Sequence, residues 1–224
     1  VTQDQYRSVT GTNPSAFADA DDSARRPVEN ISYNLLRVST GKGWPTGGHE
    51  TVGDFALAQF RARASLALDL PTEAQWEFAC RAGSGSPFAG NRTISGAAAT
   101  AKDEGDATVV ADLDGLARYA GNGTETAVVG SFAPNAWGFY DLHGNVQEWC
   151  LDYCNPYPAA DGLVVDPTGG TGAEAFAGTT RVLKGGAYSS SARRCRSAAR
   201  RFNVPSGAQP SFGFRLCWTV EESN

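Results

Sequence analysis

Five cysteines (Cys80, Cys150, Cys154, Cys195, Cys217) and two histidines (His49, His143) are the side chains with the most chemistry to offer in this chain of 224 residues. A thiolate is a nucleophile and a soft-metal ligand, so each cysteine is first a candidate for redox or copper and zinc chemistry. His143, Cys150 and Cys154 supply three zinc-type ligands, but a fourth ligand and the usual short cysteine spacing are missing. No nucleophile elbow surrounds any serine, which argues against a serine hydrolase. An odd cysteine count leaves at least one thiol free or paired between chains and fixes no redox compartment. A second feature is electrostatic. Eight basic residues and no acidic one lie between Arg181 and Arg215, although the net charge is −5. Such a segment suits an acidic partner, or is a solvated face whose arginines pair with carboxylates elsewhere. It has no basic helix and no RNA-binding signature, and nucleic acid is not expected.

The elements that must hold these residues are short. Thr2 to Val9 reads as a helix broken by Gly11, Asn13 and Pro14. Arg25 to Tyr33 is extended, and Gly41 to Gly48 is a glycine loop. Thr51 to Ala64 reads as a helix with Val52, Ala56, Phe60 and Ala64 as its buried stripe. Leu66 to Leu70 reads as a strand. Thr72 and Gln75 form a capping box that starts a helix carrying Trp76 and Cys80 on one face, and Gly83 ends it. Residues 84–125 read as long loops with short strands. Strands are expected at Val128 to Phe132, Arg181 to Lys184 and Phe214 to Val220. Between the last two, Gly185 to Leu216 has no helical period and reads as an irregular surface segment. Trp137, Phe139, Tyr140 and Trp149 are expected to build an aromatic core, which Cys150 and Cys154 pack in or flank.

With 41% hydrophobic residues the chain can bury a core, while 26 glycines and 11 prolines favour a loop-rich fold over a helical bundle. The length suits one domain, 1–224. No apolar run is long enough to span a bilayer. The sequence starts at Val1 and holds no Met, so residues at its extreme N-terminus are expected to be missing.

Four stretches in order carry a family resemblance. They are NPSAF with RRPVENISY, then LPTEAQWEFACRAG at 70–83, PNAWGFYDLHGNVQEW at 134–149, and RVLKGGAY at 181–188 continued by CRSAAR and GFRL. Over some 200 residues the chain resembles the formylglycine-generating-enzyme, or sulfatase-modifying-factor, family. The resemblance implies an α+β, C-type-lectin-like fold with two helices, small twisted sheets and mostly irregular chain.

That family oxidises a substrate cysteine with two copper-holding cysteines five positions apart, just beyond the GG motif. Here Ser190 stands at the first position, and Cys195 either aligns with the second or with a structural cysteine of shorter relatives. A serine hydroxyl is a poor Cu(I) ligand, so no copper and no oxidase activity are expected. A related branch uses a three-histidine iron site, which two histidines cannot build. The resemblance also implies a calcium cage at His143, Asn145, Val146 and Glu148, of the hard-oxygen kind that suits Ca²⁺. The open alternative is a capped loop with Glu148 paired to an arginine. Asp103, Asp106, Asp112 and Asp114 fall where a second family calcium site would lie, without a matching motif.

The family's other lineage is the variable proteins of diversity-generating retroelements, whose fixed frame reads roughly GGSW, CRSA, R, P and GFR. This chain has Gly185, Gly186, Cys195 to Ala198, Arg200, Pro205 and Gly213 to Arg215, with Ala187 and Tyr188 departing from the frame. The resemblance implies a displayed segment, about 187–211, that contacts a protein or other macromolecular ligand. Its contact residues would be Ala187, Tyr188, Ser189, Ser190, Ser191, Arg193, Arg194, Ala199, Arg201, Phe202, Asn203, Ser206, Gln209 and Ser211. Many of these are reachable from an asparagine codon by changes at adenines alone. The expected protein is a monomeric binding module, with a family oxidase as the alternative and a scaffold domain third. The lineage would place it on a bacterial cell surface or a phage.

Overall fold

The computed structural model describes residues 1–37, 55–94, 106–157, 167 and 180–218. The glycine loop at 41–48, His49, the start of the helix expected from Thr51, Asp103 and the end of the strand expected to Val220 lie outside them.

Four α-helices stand among the described residues. α1 (Gln3–Thr10) opens on a capping box of Thr2 and Gln5 and closes on Gly11, whose left-handed φ of 74° lets its N–H reach the Arg7 carbonyl. α2 (Tyr33–Leu36) is one turn capped by Ser32. α3 (Ala56–Ala64) buries Ala56, Leu57, Phe60 and Arg61. The expected every-fourth-residue stripe fails at Ala64, which is exposed, because a 3.6-residue period drifts round the helix. α4 (Glu73–Arg81) has the expected Thr72–Gln75 capping box and buries Trp76 and Cys80. It ends one residue before Gly83, on Ala82 with φ 46°.

Four strands form one mixed sheet in the order β3-β2-β1-β4. They are β1 (Gln147–Tyr153), β2 (Arg181–Lys184), β3 (Arg200–Asn203) and β4 (Phe212–Gly213). β2 pairs antiparallel with β1 and with β3, and β4 lies parallel to β1. The register of β1 against β2 shifts between Trp149 and Tyr153, which is the kink a bulge produces. β1 is buried on both faces, so its sequence shows no alternation. The strand expected over Val128 to Phe132 is instead a turn through Gly130, φ 73°. The strands expected at Leu66 to Leu70 and beyond Phe214 shrink to one bridge, Asp69 to Cys217.

The main core joins Tyr6, Tyr33, Phe60, Trp149, Phe212 and Phe214 across the helices and the sheet. Trp149 donates its indole N–H to the Ile31 carbonyl at 2.8 Å, and truncating so buried a ring costs about 3–5 kcal/mol. A second cluster joins Phe88, Leu113, Leu116 and Tyr119 to Cys195, and a third joins Trp76, Cys80, Leu142 and Cys150. The expected four-membered aromatic core is corrected: only Trp149 is inside, while Trp137, Phe139 and Tyr140 are 41–48% exposed. They sit on a loop whose turns point side chains outward.

Candidate functional site

The segment after β2 begins with two glycines that no other residue replaces cheaply. Gly185 has φ 95° and lies against Trp76. Gly186 has φ 71°, and a Cβ there would meet Cys195 Sγ at 2.6 Å and the Arg194 carbonyl at 2.9 Å. The chain then turns. Ala187 N–H donates to Ser190 Oγ at 3.1 Å, and Ser190 N–H donates to the Ala187 carbonyl at 2.9 Å. Tyr188 N–H holds the Asn145 carbonyl and Ala120 N–H holds that of Ser190. A 3₁₀ turn over Ala192–Cys195 follows. Beyond it Ser197 donates its hydroxyl to the Pro87 carbonyl at 3.1 Å and lies 3.4 Å from Cys80 Sγ.

From β3 onward the segment is held by its backbone and by one anchor. Arg200 grips both oxygens of Glu73 at 2.7 Å, donates to the Asn155 carbonyl and lies 4.3 Å over the Tyr157 ring. Asn34 N–H reaches the Pro205 carbonyl, Asn30 N–H that of Gln209, and Gln147 N–H that of Ser211. Exposure alternates along 201–210 as in an extended chain.

This geometry splits the expected contact residues. Arg193, Phe202 and Ser206 are exposed, and Tyr188, Ser189, Arg194, Arg201, Asn203 and Gln209 are half-buried. Ala187, Ser190, Ser191, Ala199 and Ser211 are buried, so the expectation that they meet a partner is corrected. They are small residues inside tight turns. Even among the half-buried, Arg194 donates to the Arg200 carbonyl and Arg201 lies over the Phe212 ring.

The thiols are placed for packing. Burial pushes the Cys80 thiol up to about 11 and Cys217 up to about 12, and it raises Cys150 and Cys154 as well. A thiol kept protonated is a poor nucleophile and a poor ligand. Cys195 is buried, with its Sγ 3.6 Å from the Ser191 carbonyl. Ser190 Oγ, where the resemblance led one to expect the family's first catalytic cysteine, accepts the Ala187 N–H.

The residues expected to hold calcium fit it poorly as placed. Glu148 receives Arg215 through Nε at 2.6 Å and Nη2 at 2.8 Å, and Trp76 Nε1 at 2.6 Å. A guanidinium therefore occupies the carboxylate a cation would need. The Asn145 side chain is tied in both directions to the Ala127 backbone. His143 is buried, with Nε2 accepting the Ala89 N–H and Nδ1 within 2.8 Å of the Cys195 carbonyl. Burial lowers its pKa, and these bonds suit a neutral ring. The geometry is the capped-loop alternative, with Glu148 paired to Arg215. Among the described residues no three His, Cys, Asp or Glu side chains converge to hold a metal, and His143, Cys150 and Cys154 do not form a zinc set. Among them also, no helix is long and apolar enough to cross a membrane.

The sequence reading missed one feature, the outward display of Phe139 and Tyr140 beside Asp141. Turn-forming Asn135 and Gly138 in the same stretch were the available signal, because a turn cannot bury aromatics on both sides of itself.

Comparison with known proteins gives a consistent picture. The family model described as sulfatase-modifying factor enzyme 1-like domain matches residues 1–220. The formylglycine-generating enzyme of Streptomyces coelicolor is 38% identical over 151 residues, covering 65% of this chain and 45% of that protein. That of Thermomonospora curvata is 36% identical over 155 residues, covering 65% and 48%. The chain thus spans about half the length of the curated relatives it matches. Among solved structures, Treponema denticola variable protein 1 superposes with a TM-score of 0.73 at 24% identity, over 96% of this chain and 81% of that one. That likeness is one of fold.

Proposed function

We propose that this chain, which belongs to the sulfatase-modifying factor enzyme 1-like family, is a ligand-binding member that displays the outer part of its C-terminal segment to a macromolecular partner. The observation that carries the reading is the split within that segment. Arg193 faces solvent from the 3₁₀ turn over Ala192–Cys195, and Phe202 and Ser206 face it from a backbone pinned by hydrogen bonds to Asn30 and Asn34 and by the Arg200–Glu73 pair. A preorganised backbone lowers the ordering cost of binding. Arginine and phenylalanine supply the forked donor and the stacking area that anchor interfaces. Local positive charge favours an acidic partner. The fold likeness to a variable protein and the frame residues around the segment support the same reading.

An oxidase of the formylglycine-generating type is the alternative, supported by the identity to the formylglycine-generating enzymes of Streptomyces coelicolor and Thermomonospora curvata. Against it, Ser190 offers a hard oxygen already bound within its turn, and the neighbouring thiol is buried. One pair of experiments separates the two. Incubation with copper, reductant, oxygen and a Cys-x-Pro-x-Arg peptide is expected to form no aldehyde. A surface array of peptides graded in charge is expected to retain the protein on its acidic members, and the double variant Arg193→Ala/Phe202→Ala is expected to lose that retention. Aldehyde formation that disappears in Cys195→Ser would overturn the binding reading.

A further inference from the structure

The sheet ends on two unlike edges. At β4 the edge is covered. Ile31 N–H donates to the Phe212 carbonyl at 3.3 Å, and the Val28 carbonyl lies 2.8 Å from where a Cβ on Gly213 would stand. At the other end stands β3, with β2 on one side and no further strand beside it among the described residues.

Residues of an antiparallel edge strand turn their N–H and C=O alternately toward the neighbouring strand and away from it. β3 pairs with β2 in an unbroken register, from Arg181↔Asn203 to Lys184↔Arg200. Phe202 and Asn203 are adjacent, so one of the two directs its backbone pair outward. Among the described residues, none bonds the backbone of either from that side.

Natural edges are guarded by proline, bulges or charged side chains. β3 has no proline and no bulge. Its two arginines lie along the faces of the sheet instead of across the edge. Arg200 runs over the Tyr157 ring to Glu73, and Arg201 lies over the Phe212 ring. Two apolar side chains stand beside the open edge, Phe202 at 54% and Val204 at 46% exposure. They alternate with less exposed neighbours, so they share one side of an extended chain. A paired strand would cover them with its own side chains.

The surroundings are basic. Arg194 reaches the Arg200 carbonyl at 3.1 Å, which sets the 3₁₀ turn carrying exposed Arg193 beside the start of β3. A second copy of this chain would bring these arginines against their own kind, which disfavours edge-to-edge pairing of two copies.

We infer that the partner docks as an extended strand on the outer edge of β3, its apolar side chains over Phe202 and Val204 and acidic ones alternating with them. This rests on the reading of the outer C-terminal segment as a contact surface. In such an addition the backbone bonds give affinity and the alternating side chains give specificity.

Calorimetric titration near neutral pH tests this with acetyl-Glu-Val-Glu-Val-Glu-Val-Glu-amide and with its analogues N-methylated on every Val, on every Glu, or throughout. In a strand the Val amides point to one edge and the Glu amides to the other. The parent peptide is expected to bind. One half-methylated analogue is expected to match it within about threefold, and the other to weaken by about tenfold or more through loss of several backbone hydrogen bonds. The fully methylated peptide, with the same charges and side chains, is expected to weaken equally. No binding of the parent, or full methylation without effect, overturns the strand addition. Retention on the acidic array despite either result leaves the contact surface standing, and failure of the array removes both. Amide exchange followed by NMR reads the edge directly. In the free protein one of the Phe202 and Asn203 amides is expected to exchange fast and the other slowly, and saturation with the parent peptide is expected to slow the fast one. Slow exchange of both in the free protein means that the chain covers its own edge and overturns the inference, as does an unchanged fast amide at saturation.

Discussion

The two halves of the C-terminal segment put their side chains to different uses. In 187–199 Ser190 and Ser197 are buried and turned onto nearby backbone. Ser190 caps the turn at Ala187, Ser197 holds Pro87, and Cys195 fills the space that Gly186 leaves. In 200–210 the backbone does the holding, through β3 and the bonds from Asn30 and Asn34, and side chains such as Phe202, Val204 and Ser206 are left outside. A segment can therefore lack any apolar period and still be structural. What commits its first half is small size and hydroxyl hydrogen bonding, which hydrophobic periodicity does not register.

If that contrast is right, the largest effect comes from disturbing the inner half. Gly186→Ala combines a strained left-handed residue with a clash against Cys195 and is expected to lower unfolding free energy by about 4 kcal/mol in urea titration. A loss below about 1 kcal/mol, the size of an ordinary surface effect, would mean the inner half is loosely held.

The next effect concerns the anchor of the outer half. Asp152 accepts the Glu73 N–H at 2.7 Å, and its pKa is raised to about 6 by burial and then by the charge of Glu73. The native carboxyl is thus protonated more readily than the unfolded one, with its ordinary value of 3.8. Ionising it opposes folding fully above pH about 6, and the penalty fades as pH falls toward 4. Asp152→Asn keeps the acceptor and removes the charge. It is expected to stabilise the protein by on the order of 2 kcal/mol near neutral pH, with the gain vanishing below pH about 4. A pH-independent difference between variant and parent in denaturant titration would remove this account of the Glu73–Arg200 anchor.

The smallest effect belongs to the outer surface. Arg193→Ala and Phe202→Ala are each expected to change stability by less than about 0.5 kcal/mol. A melting temperature lowered by either as much as by Gly186→Ala would make those side chains structural, and the proposed contact surface would lose its anchors.

Much of the frame was legible in the sequence. The Thr72–Gln75 capping box and the helix it starts, the strand at Arg181 to Lys184 and the glycine pair after it are local signals. They depend on hydrogen bonds or backbone angles set within a few residues. The ordered motifs carried the fold as a whole. β1 was not legible, because a strand buried on both faces while carrying Glu148 and Asp152 has neither alternation nor a uniform apolar run. Its carboxylates are tolerable only because Arg215, Trp76 and the start of α4 come to meet them, and those partners lie far away along the chain.

The sequence by itself determined the family and the caps and turns. Each follows from residue identity and short spacing. Only the tertiary structure decided which residues of 187–211 face outward, that Glu148 belongs to Arg215, and that Phe139 and Tyr140 stand exposed instead of filling a core. Burial and ion pairing are properties of what packs against a residue, and here those neighbours come from distant parts of the chain.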